Sequence, residues 1–342
     1  MSLIETLAPQ MAAYSKQFHT DGDVEWLPYV MFFHPRSYCS TVVSTDSSGF
    51  RFSKLDSDRF SVATSSELSS ARLLAGNSVA FGIGASSDEA TLASRMMVYD
   101  SRPQPWLNFG GRAFNSAQEL ILMTLYRHML PKIDEIMLLS GANDLLLARL
   151  PEAYIQEHGA FFNCFRFFDD VRASSSKTAE NCFSFSNLFG REKQSASLPD
   201  NALSMGERIE MAADLTLRHL DGWNAVAKDM GAKLTFILQP MSRWVRSKGC
   251  EEEEKLFAEL ASKRRYTTVR HDVLQRRVGD EYASMLETGT KRRGISFVDM
   301  NPAVRSAAGD DQWLFIDHTH LTDEGYDLLA RLVIDFTQQS ES

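Results

Sequence analysis

The sequence predicts a three-layer α/β fold built on a five-stranded parallel sheet. Short aliphatic runs alternate with longer stretches of helical period, the pattern of parallel strands joined by covering helices. Each run stops at a small or polar turn, as strands do where a chain re-enters a helix. Finally, 342 residues with 44% hydrophobic content, 10 Pro and 19 Gly suffice for one large or two ordinary domains and hold too few breakers for a disordered or fibrous chain.

The five runs are Arg72 to Ala75 before Gly-Asn-Ser, Trp106 to Phe109 before Gly-Gly-Arg, Ile136 to Leu139 before Ser-Gly-Ala-Asn-Asp, Leu234 to Leu238 before Gln-Pro, and Ile295 to Val298 before Asp-Met-Asn-Pro. Helices are expected over 88–99, 115–130 and 206–230. In the last of these Ile209, Ala213, Leu217, Leu220, Trp223, Ala227 and Met230 recur at spacings of three and four and lay one apolar face on the sheet. A final helix begins near Thr322, where a hydroxyl and early acids suit an N-terminus, and runs toward Phe336.

Residues 1–70 are expected as an N-terminal extension packed on the core, with a strand pair around Tyr29 to Phe33 and Gly49 to Phe52. Residues 71–342 are expected as the main domain, with insertions at about 160–205 and 250–290. The first insertion has eight Phe between Phe161 and Phe189 among Ser, Asn and Asp, too aromatic for a linker, and reads as a cap. The second reads as a pair of helices opening on Glu251 to Glu254, an acidic run that suits a solvated helix start.

Charge and cysteine usage narrow the function classes. Lys plus Arg number 36 against 45 Asp plus Glu, and this net charge of −9 argues against nucleic acid, whose binding needs a basic footprint. Cys39, Cys164, Cys182 and Cys250 show no C-x-x-C spacing and read as free thiols in a reducing compartment, with a Cys164–Cys182 bridge left open. The first residues lack a basic n-region, and no apolar run reaches the ~18 residues of a membrane span. A cytoplasmic protein is the expectation.

In a parallel sheet ligands sit beyond the carboxyl ends of the strands. Gly76-Asn77-Ser78 follows the first strand and puts a serine hydroxyl on a strand-to-helix turn. Asn108 to Asn115 follows the second, with small residues whose N–H groups can approach an oxyanion. Gly141-Ala142-Asn143-Asp144 follows the third and offers an amide donor to the same charge. Asp317-His318-Thr319-His320-Leu321 precedes the last helix, and an Asp three residues before a His can bend back to its Nδ1 and hold its Nε2 toward a serine.

These residues resemble the SGNH hydrolases, also called GDSL-type esterases or lipases, over Gly76 to about Phe336. Gly76 to Gly82 is similar to the G-D-S-x-x-x-G motif, Asn108 to Ala113 to N-x-x-x-x-G, Gly141 to Asp144 to G-x-N-D, and Asp317 to Leu321 to D-x-x-H-L. The resemblance implies a flavodoxin-like three-layer α/β/α fold. It implies Ser78, Asp317 and His320 as a catalytic triad, and the Ser78 N–H, the Ala113 N–H and the Asn143 amide as the oxyanion hole. The activity that follows is serine-dependent hydrolysis of an ester or thioester, on a small-molecule or carbohydrate acyl ester, with no cofactor needed and no metal expected. Two positions depart from the pattern. Asn77 stands where the family has Asp and keeps an acceptor for the turn. Ala113 stands where the family has Gly and needs a backbone conformation tolerable to a Cβ, with Gly111 the substitute donor if the turn is shifted.

Each motif has a plainer reading. Ser after Gly-Asn suits a turn, Gly-Ala-Asn-Asp a helix N-cap, and Asp-His-Thr-His an exposed polar loop. Their order and their common place at strand ends favour the hydrolase. His320 is preferred over His318 as base because it alone has the three-residue offset from Asp317, and His318 is expected to face solvent. The Phe-rich segment is expected as buried core or an association surface before an acyl pocket. Other activities open to the same residues are acyl transfer to a hydroxyl or amine, a catalytically weak binding protein on the same fold, and a metal-dependent hydrolase using Asp317, His318 and His320.

Overall fold

The computed structural model describes residues 3–18, 25–150, 157–162, 203–262 and 272–339. The N-terminal segment opens with helices α1 (Leu3–Leu7) and α2 (Met11–Gln17) and continues as two short hairpins. Strand β1 (Glu25–Leu27) pairs antiparallel with β2 (Met31–Phe33), and β3 (Ser53–Leu55) with β4 (Asp58–Phe60). The expected pairing of the Tyr29–Phe33 region with Gly49–Phe52 is therefore corrected. Each strand turns back on its nearest neighbour in sequence, which closes the smaller loop.

The central sheet comprises β5 (Ser70–Gly76), β6 (Trp106–Gly110), β7 (Lys132–Ser140), β8 (Lys233–Leu238) and β9 (Ser296–Asp299). All its pairs are parallel, in the order β6-β5-β7-β8-β9. Ala71, Leu73, Leu74 and Ala75 of β5 are all fully buried. This continuous burial, without alternation, follows from helices on both faces.

On one face lie α5 (Ser116–Tyr126), α6 (Ala142–Leu147), α7 (Met205–Met230) and α10 (Arg276–Arg293). On the other lie α4 (Leu92–Tyr99), α9 (Glu251–Ser262), α11 (Met300–Ala307) and α12 (Asp323–Gln339). Helix α7 starts in a capping box made by Ser204 and Glu207 and ends at Gly231 in the left-handed conformation. Its Ile209, Leu220, Trp223 and Ala227 are buried against the sheet, each large apolar side chain contributing about 1.5 to 3 kcal/mol. Helix α10 is the crossover from β8 to β9, while the short α8 (Ser242–Val245) and α9 are additional to it. The four residues 88–91 expected as helix form a turn, and Thr91 caps α4 by accepting the Ser94 N–H. Of the expected cap, 163–202 lies outside the described residues, as do Cys164 and Cys182, and as does 263–271 of the second insertion.

The N-terminal segment is bolted to the chain beyond β5 by a buried arginine. Arg51 donates to Asp88 at 2.9 Å, to the Gly82 carbonyl at 2.8 Å and to the Tyr14 hydroxyl at 2.9 Å. Tyr14, Phe18 and Val43 pack with Phe81, Ile83 and Ile316, so this segment rests on the turns that follow β5 and precede α12. Breaking the buried Arg51–Asp88 pair by removing one partner would cost roughly 3 to 5 kcal/mol.

Candidate active site

The sheet order reverses between β5 and β7, and at such a switch point the carboxyl ends open a crevice. Gly76 ends β5 at φ 142°, where a Cβ would lie 2.0 Å from the Leu139 carbonyl oxygen of β7. Only glycine lets the two strand ends approach so closely. The chain then enters α3 (Ser78–Phe81), with Ser78 its first residue and 7% exposed. Asn77 caps this turn by accepting the Val79 N–H at 3.0 Å, and its Nδ2 donates to the Gln239 Oε1 beyond β8. The Asn in place of Asp thus supplies the acceptor that the turn needs and a donor that an ionised Asp lacks.

His320 places Nε2 2.8 Å from the Ser78 Oγ and Nδ1 2.7 Å from the Asp317 Oδ2. With Nδ1–H donating to the carboxylate, Nε2 is left to accept the serine proton. Asp317 Oδ1 accepts the Thr319 N–H at 2.7 Å and the His320 N–H at 2.8 Å, so the loop folds back on its own carboxylate. Burial works to raise the Asp317 pKa, but the His320 charge and these hydrogen bonds outweigh it and hold the carboxyl well below the usual range. The ends of the loop are clamped by Ile316 N–H to the His320 carbonyl at 2.9 Å and Thr322 N–H to the Leu314 carbonyl at 2.9 Å.

Opposite the serine, Asn108 stitches β6 to α3, its Nδ2 donating to the Ala80 carbonyl at 3.1 Å and its Oδ1 accepting the Gly110 N–H at 3.1 Å. In the turn that follows, Gly111 N–H donates to the Gly76 carbonyl at 2.8 Å and Ala113 adopts φ 56°. That left-handed conformation costs an L-residue roughly 1 to 2 kcal/mol, so the turn is held rather than relaxed. Among the described residues neither the Ala113 N–H nor the Ser78 N–H donates to a protein acceptor; the latter lies in a first helical turn, where the carbonyl four residues back, that of Leu74, belongs to β5 and not to the helix. Asn143 Nδ2 donates to the Phe114 carbonyl at 2.7 Å, one of its two amide hydrogens, so its side chain lies against the same turn. The N-cap of α6 is Gly141, without a side-chain bond, and Asn143 does not serve as the cap. Asp144 instead ties α6 to α5, accepting the Ser116 hydroxyl at 2.8 Å, and burial raises its pKa to about 6 against the bonds from Ser116.

The structure therefore brings Ser78, His320 and Asp317 into one hydrogen-bonded chain and sets Asn143 against the Ala113 turn. His318 departs from its expected solvent position. It is half-buried, its Nδ1 3.0 Å from the Ser242 hydroxyl and its ring 4.3 Å from that of Phe257. The acidic run likewise holds a buried member. Glu253 is 1% exposed, accepts the Leu314 N–H at 2.8 Å and the Phe315 N–H at 3.0 Å, and pairs with Arg246. Gln239, Glu253 and, on the far side, His34 are supporting residues that sequence reasoning did not single out. Gln239 alone carried a signal, as the residue directly after a strand.

No family model matches the chain, and no curated protein matches it. Among solved structures it is similar to a member of the lipolytic protein G-D-S-L family from Veillonella parvula, at 11% identity and TM-score 0.45 over 79% of this chain and 99% of that one. It is similar also to a lipase/acylhydrolase from Enterococcus faecalis, at 14% identity and TM-score 0.41 over 78% and 95%. A carbohydrate acetylesterase from Sinorhizobium meliloti is similar at 10% identity and TM-score 0.43 over 79% and 99%. The chemistry rests on the hydrogen-bond geometry around Ser78 and not on these distant likenesses.

Proposed function

We propose that the chain is a serine-dependent ester hydrolase of the SGNH type, acting on a small-molecule or carbohydrate acyl ester. The observation that carries this reading is the continuous relay from Asp317 through His320 to Ser78, with contacts of 2.7 and 2.8 Å. Three residues from two ends of a chain 242 positions apart do not acquire this order of carboxylate, imidazole and hydroxyl for stability alone.

In the proposed reaction His320 Nε2 takes the Ser78 proton as Oγ attacks the ester carbonyl, and Asp317 stabilises the imidazolium that forms. The oxyanion receives hydrogen bonds from the Ser78 N–H, the Ala113 N–H and the second amide hydrogen of Asn143. Protonated His320 then gives its proton to the departing alcohol, and water, deprotonated in turn by His320, releases the acid from the acyl enzyme. Every proton is returned, with His320 carrying it at each transfer and the Ser78 and Ala113 amides holding the charge. The same proposal places the protein in the cytoplasm, a reading supported by the free thiols of Cys39 and Cys250.

The test is hydrolysis of p-nitrophenyl esters of graded acyl length by the purified chain and by Ser78→Ala. The substitution should remove nearly all turnover and leave the melting temperature close to that of the parent, because among the described residues the hydroxyl bonds only to His320. Turnover retained by a clean Ser78→Ala preparation would overturn the assignment.

A further inference from the structure

We infer that His34, from the N-terminal hairpin, is a positioning residue for the oxyanion turn, its bare Nε2 accepting the Arg112 N–H so that the next amide, Ala113, stays available to the substrate. This rests on the serine-hydrolase reading and adds a part to it.

The turn carries four consecutive amides with different fates. Gly111 N–H donates to the Gly76 carbonyl at 2.8 Å, Arg112 N–H to the His34 Nε2 at 3.0 Å, and Phe114 N–H to the Gly111 carbonyl at 3.2 Å. Ala113 N–H is the one of the four without an acceptor among the described residues, and it belongs to the residue held at φ 56°. The strained backbone thus sits between two anchored amides, and the anchor on its N-terminal side is a histidine.

The chemistry of the ring fixes its role. His34 Nδ1 lies 3.0 Å from the Gly49 carbonyl, which can only accept, so Nδ1 carries the proton and Nε2 is an acceptor. His34 is fully buried, its ring 4.0 Å from that of Phe81 in α3 and 4.4 Å from that of Phe33. Burial first, then the Arg112 charge, hold its pKa well below the ordinary value, which keeps Nε2 bare. A protonated ring would present a donor to a donor and release the turn. One side chain therefore joins the N-terminal segment, the nucleophile helix and the oxyanion turn.

Two isosteres separate positioning from packing. Gln at 34 places its amide oxygen near Nε2 and keeps the acceptor for Arg112; Asn reaches only the Nδ1 position and keeps the donor for Gly49. With p-nitrophenyl acetate as substrate, His34→Gln should hold kcat within about threefold, whereas His34→Asn should lose about tenfold or more in kcat with KM little changed. Affinity for phenylboronic acid, which places a tetrahedral centre on Ser78, should fall by the same factor as kcat. Equal kcat in the two variants, with Ser78-dependent turnover in the parent, would overturn the role of His34 alone. A parent with no Ser78-dependent turnover would overturn the hydrolase reading and this role with it. Should the Asn variant fail to fold, ¹⁵N NMR of the parent decides: the inference requires the Nδ1–H tautomer and a through-hydrogen-bond coupling between the Arg112 nitrogen and the His34 Nε2, and a proton on Nε2 would refute it.

Discussion

Replacing Asn143 with Ala separates transition-state chemistry from packing within one variant, because the side chain does two jobs with two hydrogens. The hydrogen bonded to the Phe114 carbonyl, at 2.7 Å in a residue 5% exposed, is structural. Its loss leaves a buried carbonyl unsatisfied and should cost about 1 to 3 kcal/mol. For a chain of 342 residues, unfolding entropy of about 2.1 cal/mol/K per residue converts that into a fall in melting temperature of about 1.5 to 4 °C. The other hydrogen is proposed to meet the oxyanion, and losing such a donor should lower kcat by about 10² to 10³, equivalent to roughly 2.7 to 4 kcal/mol of barrier. KM should change little, since the bond strengthens only as charge develops. Steady-state kinetics and thermal unfolding on the same preparation read both effects. A melting temperature lowered as expected beside a kcat within threefold of the parent would show that Asn143 only packs, and would leave the oxyanion to the two backbone amides.

Two further substitutions probe the surroundings of the site. His318→Ala removes the contacts with Ser242 and Phe257 and should lower the melting temperature by a few degrees while kcat stays within a few-fold; a loss as deep as that of His320→Ala would make His318 part of the relay. Asp144→Asn should change how stability depends on pH. The Asp144 pKa is raised from 3.8 to about 6, so between these values the folded chain keeps a proton the unfolded chain has lost, and the parent loses stability as pH rises through that window. The variant lacks this loss, so its stability relative to the parent should rise by up to about 3 kcal/mol from pH 4 to pH 7, and a difference independent of pH by urea unfolding would refute the raised value.

Much of the sheet was legible because its strands are buried on both faces. Leu73 to Ala75 and Ile136 to Leu139 read as unbroken aliphatic runs, and the rule that sites lie at carboxyl ends then pointed to Ser78 and Asn143. The Asp317-to-His320 offset was legible because the loop closes on itself within four residues. Supporting residues were hidden where their partners are remote in sequence. His34 meets Arg112 across 78 positions and Glu253 meets Leu314 across 61, and no local period marks either. Glu253 shows how a charge run misleads, since of the four acids Glu251 is exposed, Glu252 and Glu254 are half-buried with Glu254 paired to Arg243, and Glu253 is buried to bond two backbone amides. The N-terminal hairpins were misread because aromatic residues at Tyr29 to Phe33 and Gly49 to Phe52 look alike as edge strands, while turn geometry, not composition, chose their partners.

The central claim is that Ser78 is a nucleophile activated by His320. Incubation with a fluorophosphonate, followed by intact-mass measurement and peptide mapping, tests it without knowledge of the natural substrate. One adduct per chain is predicted, on Ser78, formed quickly by the parent and at least a hundredfold more slowly by His320→Ala, on the scale expected when the base is removed. A chain that stays unlabelled, or an adduct on another serine with Ser78 unmodified, would contradict the account.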